Sequence, residues 1–204
     1  MLSESIDRAA AVLKQGGVIG IPTDTVYGIA ANALDEDAVG RVFRLKSRED
    51  KSPIPVLIGE VDDLFRYGTD VPDEAVALAE AFWPGQLTIV VSKSDSIPMI
   101  VSGGLDTVGL RIADHPVPRQ LVALLGAPIT ATSANISGSA PLTSAVSVVE
   151  HLGANLDLVF DGGQLAPSRP STVIDVTSRP AKILRDGAVS RAAIEHVTGS
   201  VSSM

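Results

Sequence analysis

Short apolar runs alternate along this chain with longer stretches whose apolar residues recur every third or fourth position. Val18 to Ile21, Ile54 to Ile58, Leu87 to Val91 and Thr107 to Ile112 have the length and β-branched content of strands, with Gly or Pro close by. Between them fall helical patterns. Ile6, Ala9, Ala10 and Leu13 form one stripe, with Ser3 or Ser5 as cap and Gly16-Gly17 as stop. Ala38, Val39, Val42, Phe43 and Leu45 form a second, opened by Asp35. Glu74 to Phe82, Val117 to Leu125 and Ala145 to Leu152 read the same way, and a short helix is expected over 192–197. Such alternation predicts an α/β fold with helices packed on a twisted sheet. The late strands, Leu158 to Phe160, Val173 to Val176 and Lys182 to Leu184, include neighbours with no helix between them. Some pairs are therefore expected to be antiparallel and the sheet mixed. No repeat, low-complexity tract or long linker interrupts the pattern, which predicts one domain over residues 1–204, with Gly162 to Arg169 its loosest stretch.

Composition narrows the chemistry. Cysteine is absent, so disulfides, thiolate metal sites and a cysteine nucleophile are excluded. The three histidines show no pair at metal-ligand spacing, and no resident metal is expected. Net charge is −8, which disfavours uniform attraction to nucleic acid or anionic lipid. Yet Arg41, Arg44, Lys46, Arg48 and Lys51 fall within eleven positions. That cluster reads either as a solvated helix face or as a site for a small anion. Glu4 and Asp7 stand where a signal peptide needs an apolar run, and no 18-residue apolar stretch occurs; a cytoplasmic protein without membrane contact is expected.

Six segments carry polar groups at strand ends and turns or, for the second, at the end of the Asp35 helix. They are Pro22-Thr23-Asp24-Thr25-Val26-Tyr27-Gly28, Lys46-Ser47-Arg48, Gly103 to Arg111, Ala131-Thr132-Ser133-Ala134-Asn135-Ile136-Ser137-Gly138, Pro170 to Asp175, and Ile183-Leu184-Arg185-Asp186-Gly187. Ligands in open α/β sheets bind at the carboxyl ends of strands. Each segment alone also reads as a turn or cap: Asp and Thr suit turns, and Lys46 and Arg48 suit the negative end of a helix dipole. His115 before Pro116 reads as a turn residue more readily than as a base. Glycine patterns of the Rossmann or Walker type and a nucleophile elbow are absent.

Taken in order, the segments resemble the threonylcarbamoyl-AMP synthase family, the YrdC-like proteins of tRNA modification. The matching stretches are PTDTVYGI, KSREDKSPIPVLI, WPGQLT, GLDTVGLR followed by HP, SANISG, STVID and LRDG, spanning about residues 17–187. The resemblance implies a YrdC-like fold and a reaction in which ATP, L-threonine and bicarbonate give threonylcarbamoyl-adenylate and pyrophosphate. A partner transferase would then modify adenosine 37 of ANN-decoding tRNAs. It further implies that Lys46, Arg48, Ser133 and Asn135 form a catalytic, ATP-binding set, with Thr107 and Arg185 also on the nucleotide. Thr23, Arg111 and Ser171 would hold threonine, Arg111 as the carboxylate clamp. Mg²⁺ would arrive with ATP, and tRNA contact would be weak or indirect.

Two departures stand out. Many family members carry a His where this chain reads Pro55-Val56-Leu57-Ile58, and Gln86 replaces the usual second Pro of WPGPLT. Longer relatives carry an extra C-terminal domain; this chain reads as the short form. A double-stranded-RNA-binding YrdC-like protein without catalysis is the competing expectation, weakened by the acidic balance and by only seven aromatic residues (four Phe, two Tyr and one Trp).

Overall fold

A computed structural model describes residues 2–46, 52–135, 140–166 and 168–203. In chain order the elements are β1 (Leu2–Ser3), α1 (Ile6–Lys14), β2 (Ile19–Ile21), β3 (Gly28–Ala30), α2 (Glu36–Leu45), β4 (Val56–Leu57), α3 (Asp63–Tyr67), β5 (Gly68–Thr69), α4 (Asp73–Phe82), β6 (Leu87–Lys93) and β7 (Thr107–Arg111). There follow α5 (Pro116–Leu125), β8 (Ile129–Thr130), β9 (Thr132–Ser133), α6 (Ala145–Leu152), a 3₁₀ turn (Gly153–Asn155), β10 (Leu158–Phe160), β11 (Thr172–Asp175), β12 (Lys182–Arg185), α7 (Arg191–Thr198) and β13 (Ser202–Ser203).

The helices begin where their caps stand. Ser5 accepts from Arg8 N, Asp35 from Ala38 N, Ser144 from Ser147 N and Ser190 from Ala193 N. Each such bond satisfies a backbone donor that the first helical turn leaves open. His115 does the same for α5 through Nδ1, and Gly126 ends that helix at φ 69°, the left-handed region open to glycine.

The α/β class holds, but the strands divide between two sheets. One has five strands in the order β1-β10-β2-β3-β9, the other eight around the path β13-β12-β11-β6-β7-β4-β8, with β5 on β6. Both are mixed: β11 runs antiparallel to β12 and parallel to β6. The chain crosses between the sheets from β8 to β9, with Ala131 N donating to the Pro55 carbonyl. β3 and β9 escaped the apolar-run pattern because each is short; β3 follows the polar PTDT segment, and β9 is separated from β8 by Ala131 alone.

One core lies on the face of the larger sheet formed by Leu87, Ile89, Val91, Val108, Leu110 and Ile174, and a second gathers α1 and α5 beside β2 and β10. Alternation sends Thr88 and Val90 of β6, and Thr107, Gly109 and Arg111 of β7, to the opposite face. Among the described residues no helix is long and apolar enough to cross a membrane.

Candidate active site

The opposite face opens into a cavity of about 280 Å³ at the strand ends, lined by Thr23, Arg111, Ser133, Ser171 and Arg185 among others. Four strands set its floor. The register Ile89–Leu110 continues to Thr88 and Arg111, Thr88 pairs with Val173, and Val173 with Arg185. Two arginines thus stand on outer strands, with Thr88 between them.

Arg111, 7% exposed, is held from behind. Its Nε donates to the Gly85 carbonyl at 2.8 Å, and Nη2 donates to both Asp24 carboxylate oxygens at 2.6 and 2.7 Å. Burial pulls its pKa below the usual arginine value, and Asp24 pushes it back up. Gln86, the residue in place of the family Pro, donates through Nε2 to the Asp24 carbonyl at 2.9 Å. Arg111 therefore reaches the cavity already paired to a carboxylate, and Nη1 carries its remaining hydrogens.

Thr23 lines the cavity, yet its hydroxyl is engaged in its own turn. Oγ1 donates to the Val26 carbonyl at 2.7 Å and accepts from Thr25 N at 3.1 Å and Val26 N at 3.3 Å. The polar run PTDTVYG is thus a hydroxyl-braced turn that carries Asp24 to Arg111.

Arg185 donates to Ser171 three times: Nε and Nη2 to its carbonyl, and Nη2 to Oγ at 2.9 Å. Burial first and Arg111 second lower its pKa. The LRDG turn can approach Ser171 so closely because residue 187 is glycine; a Cβ there would lie 2.4 Å from Ser171 C and Thr172 N.

Lys46, 4% exposed, is the C-cap of α2, but its ammonium leaves the helix end. Nζ donates to the Ser133 carbonyl at 2.7 Å, to the Asn135 carbonyl, and to Asn135 Oδ1 at 3.1 Å. Ser133 Oγ donates to Asn135 Oδ1. Lys46, Ser133 and Asn135 are therefore one cluster, with Ser133 on the cavity wall. Arg48 lies outside the described residues, as do Ser137 and Gly138. Among the described residues of the basic run, Arg41 is tied to Asp157 at 2.8 Å and to the Gly16 carbonyl, while Lys46 turns to Ser133 and Asn135.

Thr107 stands apart. It begins β7 and pairs with Ser92, whereas the cavity lies at the Arg111 end, about 13 Å along the strand. Pro55 and Leu57, from the stretch where the resemblance leads one to expect a His, give the cavity an apolar wall. His115 remains a helix cap; burial lowers its pKa, with Asp24 and Asp114 opposing. The sequence reading missed Thr88 and Ser168 as lining residues, while Thr25 and Thr132 fell within its candidate segments without a role assigned to them. The available signal for Thr88 was one hydroxyl inside the apolar run Leu87 to Val91.

These features define an α/β protein whose strand-end cavity presents guanidinium and hydroxyl groups beside an apolar wall. Comparison with known proteins gives the family. The Sua5/YciO/YrdC family model, described as telomere recombination, matches residues 11–187, and the chain belongs to that family. It is 42% identical over 193 residues to the threonylcarbamoyl-AMP synthase of Pyrococcus abyssi, covering 95% of this chain and 57% of that one. Against the threonylcarbamoyl-AMP synthase of Bacillus subtilis it is 36% identical over 197 residues, covering 96% of this chain and again 57% of the relative. The chain thus spans little more than half the length of these curated relatives. The crystal structure of P. abyssi Sua5 complexed with L-threonine superposes with a TM-score of 0.94 at 41% identity, covering 98% of this chain and 58% of that one.

Proposed function

We propose that this chain is an L-threonylcarbamoyladenylate synthase, joining L-threonine, bicarbonate and ATP. The observation that carries the reading is the cavity itself: Arg111 and Arg185 flank the Thr88–Ser171 hydroxyls, and Ser133, tied to Lys46 and Asn135, joins the lining. Family relatives named as this synthase, and a relative crystallised with L-threonine, support it.

The reaction brings a carboxylate and a carbamate against a triphosphate. It needs fixed cations and oriented donors more than a titrating base. Threonine enters the cavity with its α-carboxylate toward Arg111. The neutral amine adds to the carbon of CO₂ derived from bicarbonate, forming a carbamate and releasing a proton. A carbamate oxygen then attacks the α-phosphorus of ATP as the bond to the β-phosphate oxygen breaks, and pyrophosphate leaves. Lys46, Ser133 and Asn135 lie against the phosphates and Arg185 toward the nucleotide; the family resemblance adds Arg48 to the phosphate-binding set. At about 280 Å³ the cavity is near the small end of ligand sites, so it holds the amino acid while the nucleotide extends outward. Pro55 and Leu57 stand toward the substrate methyl, a contact worth roughly 1–3 kcal/mol of preference over serine.

Mg²⁺ carried by ATP would supply neutralising charge to its phosphates. The cavity's guanidinium and hydroxyl donors suit phosphate oxygens, and among the described residues no three His, Cys, Asp or Glu side chains converge to hold an ion. A downstream transferase of the cytoplasm takes the product, and tRNA contact belongs to it. The test is pyrophosphate release with ATP, threonine or bicarbonate omitted in turn. Release should require all three, and release without threonine would overturn the reading.

A further inference from the structure

The WPGQLT segment supplies the Gly85 carbonyl to Arg111 and the Gln86 brace to the Asp24 turn. Its last residue, Thr88, is 1% exposed and lies between Leu87 and Ile89, yet it faces the cavity. Thr88 Oγ1 stands 3.1 Å from Ser171 Oγ. Ser171 Oγ also stands 2.9 Å from Arg185 Nη2, and a guanidinium only donates. Arg185 therefore fills one acceptor position of Ser171.

The hydrogens can be counted. Two hydroxyls carry two hydrogens, and they share one bond. One hydrogen fills that bond. The other has no acceptor among the described residues, and both side chains line the cavity. Which hydroxyl ends the chain does not alter the count. The neighbours that line the same floor, Arg111 and Arg185, are also donors. A floor with a surplus hydrogen between two guanidinium groups is complementary to an anionic oxygen, and not to an ammonium or to another donor.

Resting on the synthase reading above, we propose that Thr88 and Ser171 act as one donor unit, delivering a single hydrogen to an α-carboxylate oxygen of the amino-acid substrate. Thr88 is thereby a substrate-positioning residue.

The unit makes an unusual prediction for mutants. In Thr88→Val, Ser171 keeps its own hydrogen and turns it to the substrate. In Ser171→Ala, Thr88 does the same, while Arg185 still holds the residue 171 carbonyl. Each single variant should therefore raise the threonine KM only about two- to fivefold, the range of a neutral hydrogen bond displaced. The double variant has no hydrogen to give. It should lose about 10- to 100-fold, as for a lost bond to a charged group, and more than the product of the singles. The ATP KM should move far less. Thr88→Ser should match wild type.

Calorimetry of L-threonine binding to the wild type is measured first. No binding there, together with no threonine-dependent pyrophosphate release, overturns the synthase reading and this step with it. Binding in the wild type with strictly multiplicative losses, or with equal changes in both KM values, overturns the donor unit alone. Thermal melts accompany every variant. Should Thr88→Val fail to fold, Thr88→Ala with and without Ser171→Ala gives the same comparison.

Discussion

Removing Asp24 isolates the electrostatics of the site. The Arg111 and Asp24 side chains are only 9% and 8% exposed, and both carboxylate oxygens take hydrogens from Nη2. Asp24→Ala leaves a buried guanidinium facing a void, with Nε alone still bonded, to the Gly85 carbonyl. Breaking one side of a buried pair costs about 3–5 kcal/mol, because the surviving charge has lost its compensation. For a chain of this length each kcal/mol lowers Tm by about 2–4 °C, so a fall of about 6–20 °C is expected. Removing both charges is milder, because the desolvation penalty disappears with the pair. The double variant Asp24→Ala/Arg111→Met should therefore melt above Asp24→Ala while remaining inactive with threonine. Denaturant melts on the two single variants and the double form a double-mutant cycle. Asp24→Ala within about 0.5 kcal/mol of wild type, the scatter of ordinary surface changes, would refute the reasoning. So would a double variant whose cost is the sum of the singles.

Lys46→Ala should cut pyrophosphate release about 10²–10³-fold, as for loss of a fixed transition-state donor. It should also cost about 1–3 kcal/mol of stability by stranding the oxygens at 133 and 135, whereas simple helix-end capping predicts a few tenths and normal turnover. Gly187→Ala should lower Tm and activity together, since its Cβ meets backbone at 2.4 Å; a wild-type melt would contradict that packing. Burial lowers the His115 pKa, so the unfolded chain binds the proton more readily. The stability His115 contributes is complete above its unfolded pKa of about 6.5 and is lost as pH falls through the folded value. His115→Ser keeps a cap without titrating, so its Tm should fall less steeply than wild type below about pH 6.5; parallel curves would refute this.

Much of the fold was legible because caps, stops and apolar stripes agree locally. Asp35 and Gly126 mark helix ends that the structure reproduces. The division into two sheets was not legible, since it depends on pairings between residues as distant as Gly28 and Ser133. Polar side chains at strand ends announced a site, but not which atoms would be free within it. Arg111 reads from sequence as a bare clamp, and only the turn bringing Asp24 across 87 positions reveals its pairing. Thr88 was hidden for the opposite reason. Threonine suits a strand, and its importance comes from Ser171, 83 positions away.

The central claim is that this cavity joins threonine, bicarbonate carbon and the adenylyl group of ATP in one molecule. Incubation with ¹³C-bicarbonate, L-threonine and ATP, followed by mass spectrometry, tests it most directly. The account predicts an adenylate that carries the threonine moiety and one heavy carbon, formed by the wild type and strongly reduced in Lys46→Ala. An adenylate of threonine without the heavy carbon, or no adenylate at all, would contradict it.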